Sequence, residues 1–272
     1  MVSQVEPAGL RTGRPAPDLR VRLVRLRPLT GFVVVAVLWE AAARSGLVRP
    51  AFLPPLSTVL AALWQQLVDG SLAADAGTSL MRAACGLALA AAAGVTLGIA
   101  MARCRPLHWC LDPLVALGFP TPKIAFIPLF VLWFGIDSVS KVLLVAFAGV
   151  FPLMIGACDA ARSVDHVIVW SALAMGTSRT RLMFRVILPA CLPRIFTAFR
   201  VAVPVALINT FITEMVTGGG GMGDTLMYAQ RYFDTPTVFA AILVMLLTGL
   251  AADRMLVHLQ RRLLAWEDDA AT

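Results

Sequence analysis

Charge is scarce in this chain. Only 14% of its 272 residues are Asp, Glu, Lys or Arg, against 59% hydrophobic, and mean hydropathy is +0.81. That balance excludes an ordinary soluble domain, in which about a quarter of the residues are charged. A phosphate loop of the form G-x-x-x-x-G-K-[ST] is also missing. The glycine-rich run GGGGMGDT, residues 218–225, has no lysine, so this chain is not expected to bind ATP itself. Cys85, Cys104, Cys110, Cys158 and Cys191 are odd in number and lack C-x-x-C spacing, which leaves neither a disulfide framework nor a metal site. His108, His166 and His258 fall in loops or at the end of an apolar stretch. No nucleophile stands beside a base inside one, so no catalytic residue is expected.

What is abundant is apolar length. A bilayer core about 30 Å thick takes roughly 20 helical residues, and six stretches qualify: 29–46, 78–102, 112–135, 138–160, 195–217 and 236–259. The first carries Glu40 and Arg44. The third is broken by Pro120, Pro122 and Pro128 and carries Lys123, so it cannot be one regular helix. Between the first two, Leu56, Val59, Leu60, Leu63, Trp64 and Leu67 recur at helical spacing, with Ser57 and Thr58 available as caps after Pro54 and Pro55. Residues 55–70 are therefore expected to form an interfacial helix. The organisation is then a basic leader over 1–28, read as an uncleaved anchor, a first span over 29–46, a five-span core over 78–259 and a tail over 260–272.

Orientation follows from the cations. With the N-terminus inside, 16 of the 23 Lys and Arg residues lie in the leader, the inner loops and the inner end of the last span. Arg44, Arg49, Lys141 and Arg231 lie outside, and Arg82, Lys123 and Arg200 within spans. Positive-inside bias gives N-in and C-in. It also accounts for the net charge of +7 without a nucleic acid partner; the lipid membrane suffices.

The longest inner loop, 161–194, contains WSALAMGTSRTRLMFRVILPACLPR (170–194). Leu173, Gly176, Arg179 and Met183 recur at helical spacing, Thr177 and Ser178 interrupt at a turn, and Pro189 and Pro193 are expected to close the segment. A helix pair with glycine at its bend suits docking against another protein, because glycine lets two backbones approach closely.

At Ala172, Gly176, Val186, Leu188 and Pro189 the sequence resembles the cytoplasmic-loop motif of permease subunits of bacterial ATP-binding-cassette importers, E-A-A, three residues, G, nine residues, I-x-L-P. Trp170 stands for the Glu, Ser171 for the first Ala and Val186 for the Ile. FLPPLSTVL (52–60), TSLMRAACG (78–86), LDPLVALGFPTPKIAFIPLFVLWFGID (111–137), SKVLL (140–144), ITEMVTGGGGMGDTL (212–226) and RRLLAW (261–266) are similar to the nitrate, sulfonate and taurine branch.

The resemblance implies an all-α integral membrane protein of the type I importer permease fold: six transmembrane helices, N-in/C-in, with cytoplasmic coupling helices, in the bacterial inner membrane. It implies a homodimer on two ATPases that bind ATP and Mg, supplied by a periplasmic or lipid-anchored substrate-binding protein. Trp170, Ala172, Gly176, Thr177, Ser178, Arg179, Val186, Leu188 and Pro189 would couple to the ATPase. The cargo would be a small anion such as a sulfonate, taurine or nitrate, and the alternative a heterocyclic nutrient such as a pyrimidine precursor. A secondary carrier driven by an ion gradient is the rival from another class, although no half-to-half repeat is visible.

Polar groups inside the spans have two readings each. Glu214 either lines a substrate gate or is a buried carboxylate paired with a neighbouring helix. Lys123, between Pro120 and Pro122 on one side and Pro128 on the other, either draws an anion into the pathway or snorkels. Arg82 reads as a structural anchor. Gly218, Gly219, Gly220 and Gly221 read as a flexible outer gate loop. Gly86, Ala90, Gly94 and Gly98 form a small-residue ridge for packing within a subunit or across the dimer.

Overall fold

The computed structural model describes residues 19–264, with side chains from Thr30 onward except that of Arg179. All described regular structure is helical. The chain divides between Ser57 and Thr58 into two compact units.

The first unit is built on helix α1 (Leu19–Arg44). It begins inside the expected leader, where Leu and Arg, both good helix formers, precede the apolar run. The two charges that this stretch carries pair with each other, Arg44 Nε donating to Glu40 Oε1 at 2.6 Å. Glu40 also accepts from the Ser57 hydroxyl at 2.9 Å and the Ser57 amide at 3.3 Å. Ser57 is therefore not the expected cap. It sits in the first turn of α2 (Leu56–Val68), and a carboxylate from α1 satisfies it.

The second unit holds α3 (Ser71–Arg103), α4 (Arg105–Gly118), a 3-10 turn (Lys123–Phe126), α5 (Ile127–Phe134), α6 (Ser138–Arg162), α7 (His166–Ala174), α8 (Arg179–Leu182), a π turn (Met183–Ile187), α9 (Leu188–Thr217), α10 (Met222–Arg231) and α11 (Thr235–Leu263). Among the described residues, four runs are long and apolar enough to cross a membrane: α3, α6, Thr180–Thr217 and α11. The segments on either side of Pro120 and Pro122, bent by 99°, would make a fifth. A turn there is what two prolines without donors impose.

The core is the α3–α6 pair, and the small-residue ridge belongs to it. A Cβ on Gly94 would stand 2.8 Å from the Val150 carbonyl oxygen, and one on Gly86 2.6 Å from Val145 Cβ. One on Gly98 would run into the Met154 carbonyl. The ridge is thus an intrachain contact that side chains would prise open. Gly98→Leu is expected to lower stability by about 1–3 kcal/mol, read as a fall in the melting midpoint of the purified permease. Gly249→Leu, where a Cβ would meet no packed neighbour within 4 Å, should leave the midpoint in place. Equal midpoints for the two variants would contradict the packing assignment.

Pro189 and Pro193 do not close the inner loop. The helix runs through both, with Pro189 in the first turn of α9 and Pro193 inside it. Before Pro189 the helix widens into the π turn: Leu188 N–H reaches back five residues to the Met183 carbonyl, next to a proline that has no N–H to give; Pro193 lies inside the regular helix, as Pro152 does in α6. Residues 180–217 form one run of 38 residues, about 57 Å at 1.5 Å per residue. That exceeds the bilayer core, so one end of the run stands clear of it.

Candidate functional site

Two constellations occupy the opposite ends of this long run. At its N-terminal end, Asp165 caps α7 by accepting from the Val167 amide at 2.8 Å. The helix ends in a paired turn: Thr177 N–H donates to the Ala172 carbonyl at 3.1 Å and Gly176 N–H to the Leu173 carbonyl at 2.9 Å. Gly176 takes the left-handed position, φ +79°, as this helix-ending motif requires. Ser178 then starts α8, its hydroxyl accepting from the Arg181 amide at 3.4 Å.

Ala172 and Gly176, four residues apart in the motif, are thus two fixed points of one turn. Ala172 is buried in a cluster with Ala157, Ala160, Ala161, Leu182 and Cys191, and Val186 and Leu188 pack against that cluster. The loop is folded onto the ends of α6 and α9. A Cβ on Gly176 would meet nothing within 4 Å, so within this chain its role is conformational; the close backbone approach expected from sequence is one to another protein, toward which this position is open. Trp170 is 73% exposed, and Val167, Met175 and Phe184 are exposed as well. Replacement of the motif's Glu by Trp puts a ring where a carboxylate would stand. Arg179 opens α8; its side chain lies outside the described set.

At the other end of the run, Glu214 is fully buried with both oxygens engaged. Oε1 accepts from Arg82 Nη1 at 2.7 Å. Oε2 accepts from the Ser79 hydroxyl at 2.7 Å and the Gly223 amide at 3.1 Å. Arg82 also donates to the carbonyls of Gly220 at 2.6 Å and Gly219 at 2.9 Å, and to the Ser138 hydroxyl at 3.1 Å. Lys141 donates to the Gly218 carbonyl. The amides of the same loop go to Asp224 (from Gly220, 2.8 Å), Asp75 (from Gly221, 3.1 Å) and Ser79 (from Met222, 2.9 Å).

The glycine run is therefore not the flexible loop expected from its composition. It is a backbone loop whose polar groups are tied to charged side chains of α3, α6 and α10. All four glycines have positive φ, from 67° to 103°, and a Cβ on Gly221 or Gly223 would collide with Glu214 or the backbone beside it. Glycine is needed for both conformation and space. Lys141, expected on the outer surface, is 1% exposed, because its stem lies in the first turns of α6 and its ammonium reaches the loop.

Of the two readings for Glu214, the arrangement is the paired carboxylate. Lys123 is committed as well: its ammonium donates to the carbonyls of Gly118 (2.5 Å), Phe119 (3.0 Å) and Thr121 (2.8 Å) and stands 4.9 Å from the centroid of the Phe151 ring. Three acceptors match its three donors, so it caps the end of α4 and stitches the broken segment where Pro120 and Pro122 leave it open. Sequence reasoning missed Asp75, Ser79, Lys141, Asp224 and Thr225, whose hydroxyl donates to Asp75 at 2.5 Å. Ser79, Lys141, Asp224 and Thr225 fall in the segments that resemble the permease family, and Asp75 carried no signal beyond its polarity near the start of α3.

Membrane-length helices thus carry an exposed apolar loop at one end of the 180–217 run and a charge-locked loop at the other, the arrangement of an integral membrane protein. The chain belongs to the family of binding-protein-dependent transport system inner membrane components, which matches residues 94–265. It is 33% identical over 241 residues to the taurine transport system permease protein TauC of Escherichia coli, spanning 87% of this chain and 88% of that one. It is 29% identical over 242 residues to the formylaminopyrimidine transport permease protein ThiX of Halalkalibacterium halodurans, 89% and 96% of the two chains. Its fold matches a chain of the inward-facing MetNI methionine ABC transporter with a TM-score of 0.61 at 15% identity, over 68% of this chain and 93% of that one. The type I importer permease fold, the inner-membrane location and the role of a non-enzymatic permease subunit of an ATP-binding-cassette importer follow.

Proposed function

We propose that two copies of this chain form the pathway, each seated on an ATPase that binds ATP and Mg, and that a soluble or lipid-anchored binding protein delivers a small organic anion of the sulfonate class. The observation that supports the cargo is the similarity to TauC over nearly the whole of both chains. The similarity to ThiX supports a second reading, a heterocyclic pyrimidine precursor. In this account α1 is the sixth span, N-in and C-in, with the leader and tail inside and α2 along the interface, where Leu60, Trp64 and Leu67 are exposed.

The exposed apolar patch of Val167, Trp170, Met175 and Phe184 seats in the ATPase, and the turn from Ala172 through Ser178 fixes its shape. The coupling residues Arg179, Val186, Leu188 and Pro189 join that patch to the long run. Glu214 serves the pathway as a lock on the outer loop, not as a lining group. The intact complex should weigh as two copies of this chain plus two ATPases. Uptake of labelled taurine should be competed by alkanesulfonates and not by aminopyrimidines. A transport-competent particle without an ATPase would overturn the assembly, and the reverse competition would select the heterocycle.

A further inference from the structure

The turn between α10 and α11 breaks a rule that the rest of the chain obeys. Phe233 N–H donates to the Gln230 carbonyl at 3.1 Å and Asp234 N–H to the Ala229 carbonyl at 2.9 Å, the same paired helix ending seen at Gly176. Its left-handed position is Phe233, with φ +57°, the one described non-glycine residue at positive φ. A bulky residue there is strained where glycine is not. No burial repays the strain, because Phe233 is 89% exposed. A strained residue with no intrachain return points to a contact outside the chain.

Its neighbours have the same character. Tyr228 and Tyr232, the only tyrosines in the sequence, are 63% and 68% exposed, with ring centroids 4.6 Å apart. Arg231 is exposed between them, and Met227, Gln230, Arg231, Phe233, Thr235 and Val238 line an adjoining groove. Tyr, Phe and Arg around a groove are the residues that anchor protein interfaces. The exposed Gln230, Arg231 and Asp234 among them place the ledge in water, not in acyl chains.

We infer that Tyr228, Tyr232 and Phe233 form a docking ledge for the substrate-binding protein. This rests on the importer reading above, and the family description supplies a binding protein as partner. The run 180–217 puts α10 at the end opposite the coupling loop, the face on which that partner arrives. The charge lock on Gly218–Gly221, immediately before α10, holds the ledge in place, so docking there bears on the same run that reaches the ATPase.

Phe233→Gly tests the ledge, because it relieves strain while removing the ring. In the reconstituted complex, the concentration of solute-loaded cognate binding protein giving half-maximal stimulation of ATP hydrolysis should rise about tenfold, as for loss of an interface anchor. Melting midpoint and unstimulated hydrolysis should stay level or improve. Tyr228→Ala with Tyr232→Ala should give a similar rise. An unchanged half-maximal concentration would overturn the ledge, whereas absence of stimulation in the unaltered complex would overturn the importer reading itself. A fall in dimer mass would assign the ledge to a second copy. A fall in melting midpoint in lipid nanodiscs without binding protein would assign it to the membrane.

Discussion

Glu214→Leu is expected to destabilise the folded permease by about 3–5 kcal/mol, the usual consequence of removing one partner from a buried ion pair. The change strips the carboxylate from Arg82 and leaves the Ser79 hydroxyl and Gly223 amide without their acceptor. Arg82 keeps the carbonyls of Gly219 and Gly220, but these do not neutralise a buried guanidinium. Arg82→Leu should be comparably damaging. The pair of changes together should be less damaging than the two effects added, since neither charge is then left alone. Thermal melting of the purified variants and a double-mutant cycle read these values. Glu214→Leu melting with the unaltered protein would show that the pair does not hold the outer loop.

Gly176→Val should abolish coupling without preventing insertion. A β-branched residue at φ +79° meets a strain of about 1–3 kcal/mol, enough to unmake the turn that joins α7 to α8. Binding-protein-stimulated hydrolysis is then expected to fall at least about tenfold, the equivalent of 1.4 kcal/mol, and uptake with it. Gly176→Asn distinguishes the two roles a glycine can have. Asparagine tolerates the left-handed position, so it should retain most of the stimulation if conformation is what matters. Loss with Asn equal to the loss with Val would instead place the ATPase backbone against this residue.

The parts of this protein legible in its sequence are those determined by local pattern. Apolar length located α3, α6, α9 and α11, prolines located the break after α4, and Gly-Thr-Ser located the bend after α7. The closure expected at Pro189 and Pro193 failed because Pro189 falls in the first turn of α9, where its missing N–H costs little, and Pro193 is carried inside the same helix, as Pro152 is in α6. The charge lock was not legible as a unit. Ser79 and Arg82 lie 135 and 132 positions from Glu214, and Asp75 lies 150 from Thr225; helix packing alone brings them together. Glycine-rich composition argued for mobility in the outer loop, yet a glycine backbone is also what allows so many side chains to reach its amides and carbonyls.

On the proposed function, motion of an ATPase, received at 166–187, drives a pathway closed by the lock around Glu214. The most direct test is uptake into proteoliposomes containing this chain and its ATPase, with binding protein outside and ATP sealed inside. Uptake is expected to require both ATP hydrolysis and the binding protein and to persist when ionophores collapse proton and sodium gradients. Uptake driven by an ion gradient, with no ATPase present, would contradict it.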